Sequence, residues 1–251
     1  MAPQSPPSGA LDAATAAALQ RVREDRLLID GVDAWLFEEF APYLGRRVLE
    51  VGCGLGNLAR LLTDRELYCG VDNSVESIAT LAKEWGGHPN LRWLVADVTS
   101  PEFLSLQAVG FDTAISLNVL EHVEDQDTAI ANLHQVLGPG ARLILVAPAH
   151  RWLYGSMDRA IGHCRRYSRD DMRTLLTRHG FRVGKMSYLN ALGALGWLVN
   201  GRVLQRRTPP AGQLRVFNRL VPALKAVERL LPPPFGISLL AIAERRDAPS
   251  P

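Results

Sequence analysis

RVLEVGCGLGN, residues 47–57, decides how the rest of the chain is read. A short apolar run with β-branched side chains, closing on glycines, is the pattern of a strand buried on both faces in a parallel sheet. Gly52, Gly54 and Gly56 then allow a tight turn and a close approach of backbone to a ligand, next to the free N–H groups of a following helix. The dinucleotide fingerprint places its third glycine three residues after the second, and here that position is Asn57, which argues against a nicotinamide cofactor. Glu50 is a carboxylate inside an otherwise apolar strand, a costly placement unless it has a task.

Outward from this stretch, strands and helices alternate. Strands are expected at LYCGVD (67–72), LRWLVADV (91–98), FDTAISLN (111–118) and RLILVAPA (142–149). Between them lie helices NLARLLTD (57–64), SVESIATLAKEW (74–85), a short one near Phe103, and DTAIANLHQVL (127–137), the last stopped by Gly138-Pro139-Gly140. Five parallel strands with right-handed crossovers predict an α/β fold, a Rossmann-like doubly wound sheet whose ligand lies at the carboxyl ends of the strands. Helix RDDMRTLLTRHG (169–180), strand FRVGKMSYL (181–189) and strand ISLLAIAER (237–245) follow, the last two able to pair antiparallel. Two N-terminal helices are expected over 11–44, with Asp12 and Asp33 as N-caps. A helical cap is expected over 190–235, divided near Thr208-Pro209-Pro210 and closed by Pro232-Pro233-Pro234. The organisation predicted is a disordered tail at 1–10 and a single domain over 11–251.

At 251 residues and 47% hydrophobic, the chain can bury one sizeable core. Cys53, Cys69 and Cys164 are odd in number and form no CxxC pair, which suits a reducing, cytoplasmic setting better than a disulfide framework or zinc knuckle. MAPQSPPSGA lacks the charged and apolar blocks of a secretory signal. The longest weakly polar run, 188–199, is well short of the roughly 20 residues that span a bilayer. A net charge of +2 hides an asymmetry: residues 1–150 hold 10 Lys+Arg against 20 Asp+Glu, and the remainder 18 against 6. The basic part either meets an anionic partner or answers the acidic part, within the fold or across a homodimer.

VLEVGCGLGN resembles the first motif of the class I S-adenosylmethionine-dependent methyltransferases, and the likeness extends over roughly 45–185. The resemblance implies S-adenosylmethionine as cofactor, with Glu50 helping to hold its methionine end and Gly52, Cys53, Gly54, Gly56 and Asn57 forming the loop beside it. Asp72, closing the second strand, is similar to the family's ribose-binding acid, since a carboxylate accepts two hydroxyls in a bidentate way; Asn73 would lie by the adenine. Asp97 and Val98 match the adenine-proximal acid and backbone N–H, although Asp97 is also placed to cap a helix near Thr99. Leu117 and Asn118 match the fourth motif, between methionine amine and acceptor. Related ubiquinone-pathway and small-RNA enzymes bind a divalent metal through Glu-x-x-Glu-His; here Asn118 replaces the first carboxylate, so Glu121 and His122 survive but no metal is expected.

RWLYGSMDRAIGHCRRYS (151–168) follows the fifth strand and overhangs the expected active face; it loosely resembles the equivalent loop of methyltransferases from cell-envelope glycosylation. Tyr154, Arg165, Arg166 and Tyr167 are the expected acceptor contacts, with the alternative that its arginines solvate a surface and pair with Asp158, Asp170 and Asp171. An oxygen or acidic-carbon acceptor must lose a proton, a task for histidine: His163 first, His122 second. The expected acceptor is small or lipid-linked and anionic, bound by Arg165, Arg166 and Arg169, while Arg202, Arg206, Arg207, Arg215 and Arg219 are placed to reach an anionic lipid surface. No RNA-binding motif or aromatic platform supports a nucleic acid. Two other readings share the nucleotide site: non-methylating chemistry such as cyclisation, and a cofactor-sensing module without catalysis.

Overall fold

The computed structural model describes residues 30–246. The expected tail and the first of the two N-terminal helices lie outside the described residues. Seven strands form one sheet in the order β3-β2-β1-β4-β5-β7-β6: β1 (Arg47–Val51), β2 (Leu67–Asp72), β3 (Leu91–Val95), β4 (Phe111–Leu117), β5 (Leu137–Pro148), β6 (Phe181–Leu189) and β7 (Ser238–Arg245). The first five pair in parallel, and β7 runs antiparallel between β5 and β6. Strand order reverses direction between β1 and β4, which opens the crevice where doubly wound sheets bind ligands.

Side chains alternate across β1 as strand geometry requires. Leu49 and Val51 join a core covered by α3 (Gln126–Val136) and α5 (Arg169–Arg178), through Ile130, Leu133, Leu175 and Leu176. Val48 faces the opposite core, closed by Leu36 and Phe40 of α1 (Asp30–Phe40). Helix α2 (Val75–Trp85) adds Ile78 and Leu81 against Cys53.

Three local expectations are corrected. NLARLLTD forms only a 3-10 turn at Ala59–Leu61: Leu58, Ala59 and Leu62 are buried at helical spacing, but the left-handed glycine loop takes up the preceding residues and leaves too few to nucleate a helix. Asp33 lies inside α1, past its first residue, rather than at its N-cap. Helix α3 does end before Gly138, yet β5 already starts at Leu137, with the Gly-Pro-Gly turn forming an irregularity in its pairing to β4.

Beyond the sheet, α4 (Ser156–Ala160) sits in the loop after β5, and α6 (Ala191–Trp197), a π-helical turn (Leu198–Val203) and α7 (Ala211–Leu230) lie between β6 and β7. Glu228 of α7 accepts from the N–H groups of Asn190 and Ala191 at 2.9 and 2.8 Å, closing the start of α6. Asn218 accepts from Gly31 N, and Glu38 pairs with Lys225 and Arg229, so α7 leans on α1. No described helix is long and apolar enough to cross a membrane.

Candidate active site

The three glycines of the turn after β1 are left-handed, with φ of +76° at Gly52, +52° at Gly54 and +74° at Gly56. A Cβ at Gly52 would stand 2.2 Å from Val119, whereas one at Gly54 would meet nothing within 4 Å, so Gly54 presents a bare ledge that a ligand can approach. Asp72 ties this turn to β2: its Oδ2 accepts from Gly54 N and its Oδ1 from Ser74 N, each at 2.9 Å. Ser74 is the cap of α2, accepting from Ser77 N, which leaves Asp72 free of that duty. A carboxylate has about four acceptor positions, so each oxygen retains one for a hydroxyl. Bare ledge and fixed carboxylate together fit the ribose and methionine of S-adenosylmethionine.

Glu50 lies beneath the turn, buried, with its carboxylate accepting from the Tyr68 hydroxyl. Burial raises its pKa to about 7, against the lowering effect of the Tyr68 bond and with a further rise from Asp72. Cys53 is buried beside it, its thiol pushed up by burial and by Glu50. Asn57 and Asn73 are exposed on the loops above. Asp97 binds Thr99 through N and Oγ1 at 2.8 and 2.7 Å, while Ser100, without a side-chain bond, occupies the cap of the following 3-10 helix. The buried Asn132 of α3 donates to Val98 O at 2.8 Å and pins that peptide. Leu117 ends β4, and Asn118 takes a left-handed turn (φ +53°) with its N–H on Val146 O.

On the other side of β4 the loop 150–168 folds around Asp158, which has no exposed surface. Its Oδ1 meets His163 Nδ1 at 3.0 Å and accepts from Arg166 Nε at 2.7 Å; its Oδ2 accepts from Trp197 Nε1 at 3.0 Å and Gly155 N at 2.9 Å. Burial pushes its pKa up, but these bonds, led by His163, outweigh it and hold the carboxyl at about 2. Asp158, named in the alternative reading as a partner of the loop's arginines, does pair with Arg166, but as the buried centre of the loop. Neither this role nor that of Tyr68 or Asn132 carries a local sequence signal, because each depends on a partner brought from another element.

Of the expected acceptor contacts, Arg166 is turned inward. Arg166 is buried and holds Asp158 and Ala149 O, the pairing a buried guanidinium needs, and so is no free clamp. Tyr154 donates to His163 O at 2.8 Å and Tyr167 to Gln126 Oε1 at 2.8 Å, while Arg165 donates to Glu124 O at 2.9 Å. These residues line a polar hollow of about 580 Å³, walled off by Arg166 from a second cavity.

That second cavity, about 630 Å³, lies between α1, α6, α7 and the carboxyl ends of β4 and β5. Asn118, His163 and Arg166 line one end, and Trp197, Phe217 and Leu220 belong to its cap side. Trp35 of α1 is buried, at 2% exposure. His163 Nε2 lies 3.6 Å from Glu121 Oε1, and the His122 ring stands edge-on to His163 with centroids 4.8 Å apart. Ligand atoms of Glu121, His122 and His163 all fall within 4.8 Å of one another. The sequence offered only Glu121 and His122 here; the fold adds His163.

Residues 19–185 match the family described as Methyltransferase domain. An uncharacterized methyltransferase of Mycobacterium bovis is 33% identical over 111 residues, 44% of this chain and 55% of that protein. The ubiquinone biosynthesis O-methyltransferase of Coxiella burnetii is 33% identical over 119 residues, 46% and 49% of the two chains. The chain thus spans about half the length of the curated relatives it matches. Among solved structures, a putative methyltransferase of Haloferax volcanii, in complex with a methyltransferase activator, superposes with a TM-score of 0.62 at 18% identity, covering 95% of this chain and 100% of that one. Sheet order, glycine turn and family match agree, and the chain belongs to the class I S-adenosylmethionine-dependent methyltransferases.

Proposed function

We propose that the chain moves a methyl group from S-adenosylmethionine to an anionic acceptor, small or lipid-linked, that enters the cavity beneath α6 and α7. The observation that carries this reading is the cavity itself, which reaches Asn118 at the edge of the cofactor crevice and is lined for most of its extent by apolar side chains. Arg207 on its lining supplies positive charge for an anionic group, since the charge of Arg166 on the same wall is taken up by Asp158.

When bound, S-adenosylmethionine supplies a methyl carbon on a positive sulfur that leaves as a neutral thioether. The protein's part is alignment, exclusion of water and removal of one proton. Asp72 and the Gly54 ledge hold the donor. Asp158, accepting from His163 Nδ1–H, fixes the imidazole tautomer and leaves Nε2 directed toward Glu121 at the cavity wall. Nε2 then takes the proton of an acceptor hydroxyl as the oxygen bonds the methyl carbon. The test is to incubate the protein with methyl-labelled cofactor and candidate acceptors: label in the acceptor together with S-adenosylhomocysteine supports the reading. Binding without turnover would favour a sensing module, and a rearranged acceptor without label would favour cyclisation.

A second reading has an observation of its own in the Glu121, His122 and His163 cluster, whose two imidazoles and one carboxylate suit a transition metal better than magnesium. The base reading expects full turnover after exhaustive chelation. Loss of turnover, restored by zinc or manganese alone, would transfer acceptor activation to a metal.

A further inference from the structure

Helix α7 carries two apolar stripes. Leu214, Phe217 and Val221 face inward, whereas Val216, Leu220, Ala223, Val227 and Leu230 form a second stripe, all of it exposed, with Leu230 at 82%. Leu195, Val199 and Val203 give the helical segment 191–203 an exposed stripe of its own, Val203 at 69%. Val216 and Leu220 belong both to the α7 stripe and to the lining of the acceptor cavity, so the cavity opens along this stripe.

The charge around it is one-sided. Residues 190–235 contain seven Lys and Arg, of which Lys225 and Arg229 pair with Glu38 of α1, and one acid, Glu228, whose two oxygens accept from Asn190 and Ala191. Arg202, Arg206, Arg207, Arg215 and Arg219 are exposed, and helical geometry sets Arg215 and Arg219 along the flank of the α7 stripe. A second copy placed here would set this excess of positive charge against itself. A hydrocarbon layer edged with phosphates satisfies both features.

We propose that the α6–α7 face docks on an anionic phospholipid bilayer, so that the cavity mouth meets the lipid and an acceptor with an apolar chain enters from the membrane. The acceptor half of this rests on the function proposed above; the docking does not. The experiment is cosedimentation of the full chain with phosphatidylcholine vesicles, with and without about one-third phosphatidylglycerol, at low and high salt. Binding is expected to the anionic vesicles, stronger than to neutral ones by tenfold or more and weakened by salt. Arg215→Gln with Arg219→Gln should weaken it roughly tenfold or more, and Val227→Asp with Leu230→Asp should abolish it, both with cofactor affinity retained as evidence of folding. Equal or absent retention on the two vesicle types overturns the proposal. So does a solution dimer that Leu230→Asp dissociates, which would give the stripe to a second copy. The assay contains no acceptor, so its failure leaves methyl transfer untouched, and failure of methyl transfer leaves vesicle binding untouched.

Discussion

Two carboxylates, one on each side of β4, are held in opposite ways. Asp72 is fixed by two backbone N–H groups, from Gly54 and Ser74, and stays partly exposed. Asp158 is wholly enclosed, with His163, Arg166 and Trp197 around it. The first is a rigid acceptor set out for a ligand. The second is a charge kept inside the protein to orient other side chains, one of which, Trp197, belongs to the cap. On the proposed function, donor binding and acceptor chemistry are therefore expected to be separable by mutation.

The largest effect is expected at Asp158. Removing one partner of a buried ion pair leaves the other uncompensated, so Asp158→Ala should lower unfolding stability by about 3–5 kcal/mol in denaturant titration. A partly exposed carboxylate has no such debt, and Asp72→Ala should change stability by less than about 1 kcal/mol. Equal losses would erase the distinction. Acid adds a check on sign: Asp158 is held below its ordinary value of 3.8, at about 2, so its contribution is complete above pH 3.8 and disappears as pH falls through 2. Asp158→Asn should flatten that acid limb.

His163 should respond in rate rather than affinity. His163→Gln is expected to cut turnover roughly 10²–10⁴-fold, the usual range for a lost general base, with cofactor affinity unchanged. A loss confined to cofactor affinity would move His163 to the donor side.

The donor side was the more legible of the two. RVLEVGCGLGN and the carboxylate closing β2 act through backbone and near neighbours, so a local pattern is enough to place them. What a local pattern omits is the floor: Tyr68 comes from the adjacent strand to meet Glu50, and Asn132 crosses from α3 to hold Val98. On the acceptor side the loop showed its density of Arg, His, Tyr and Asp but not which of them turn inward. Arg166 and Asp158 look like surface residues until Trp197, 39 positions from Asp158, closes over them. The missing helix at NLARLLTD has the same lesson in reverse, because its apolar spacing is helical while the glycine turn before it decides the geometry.

A smaller effect is expected at Glu50. Its pKa is raised from 4.5 to about 7 by burial, so the stability tied to its protonated form is complete below 4.5 and is lost as pH rises through 7, by about 3 kcal/mol at most. Glu50→Gln should remove this slope between pH 4.5 and 7 in thermal unfolding curves. A slope that persists in the Gln variant would show that Glu50 is not its source.

The separation itself is tested most directly by titration calorimetry of S-adenosylmethionine into the wild type, Asp72→Ala and His163→Gln. Loss of two charge-assisted hydrogen bonds predicts that Asp72→Ala weakens binding by about 2–4 kcal/mol, while His163→Gln binds as the wild type does. Unchanged affinity in Asp72→Ala, or an equal loss in both variants, would contradict the placement of donor and acceptor on opposite sides of β4.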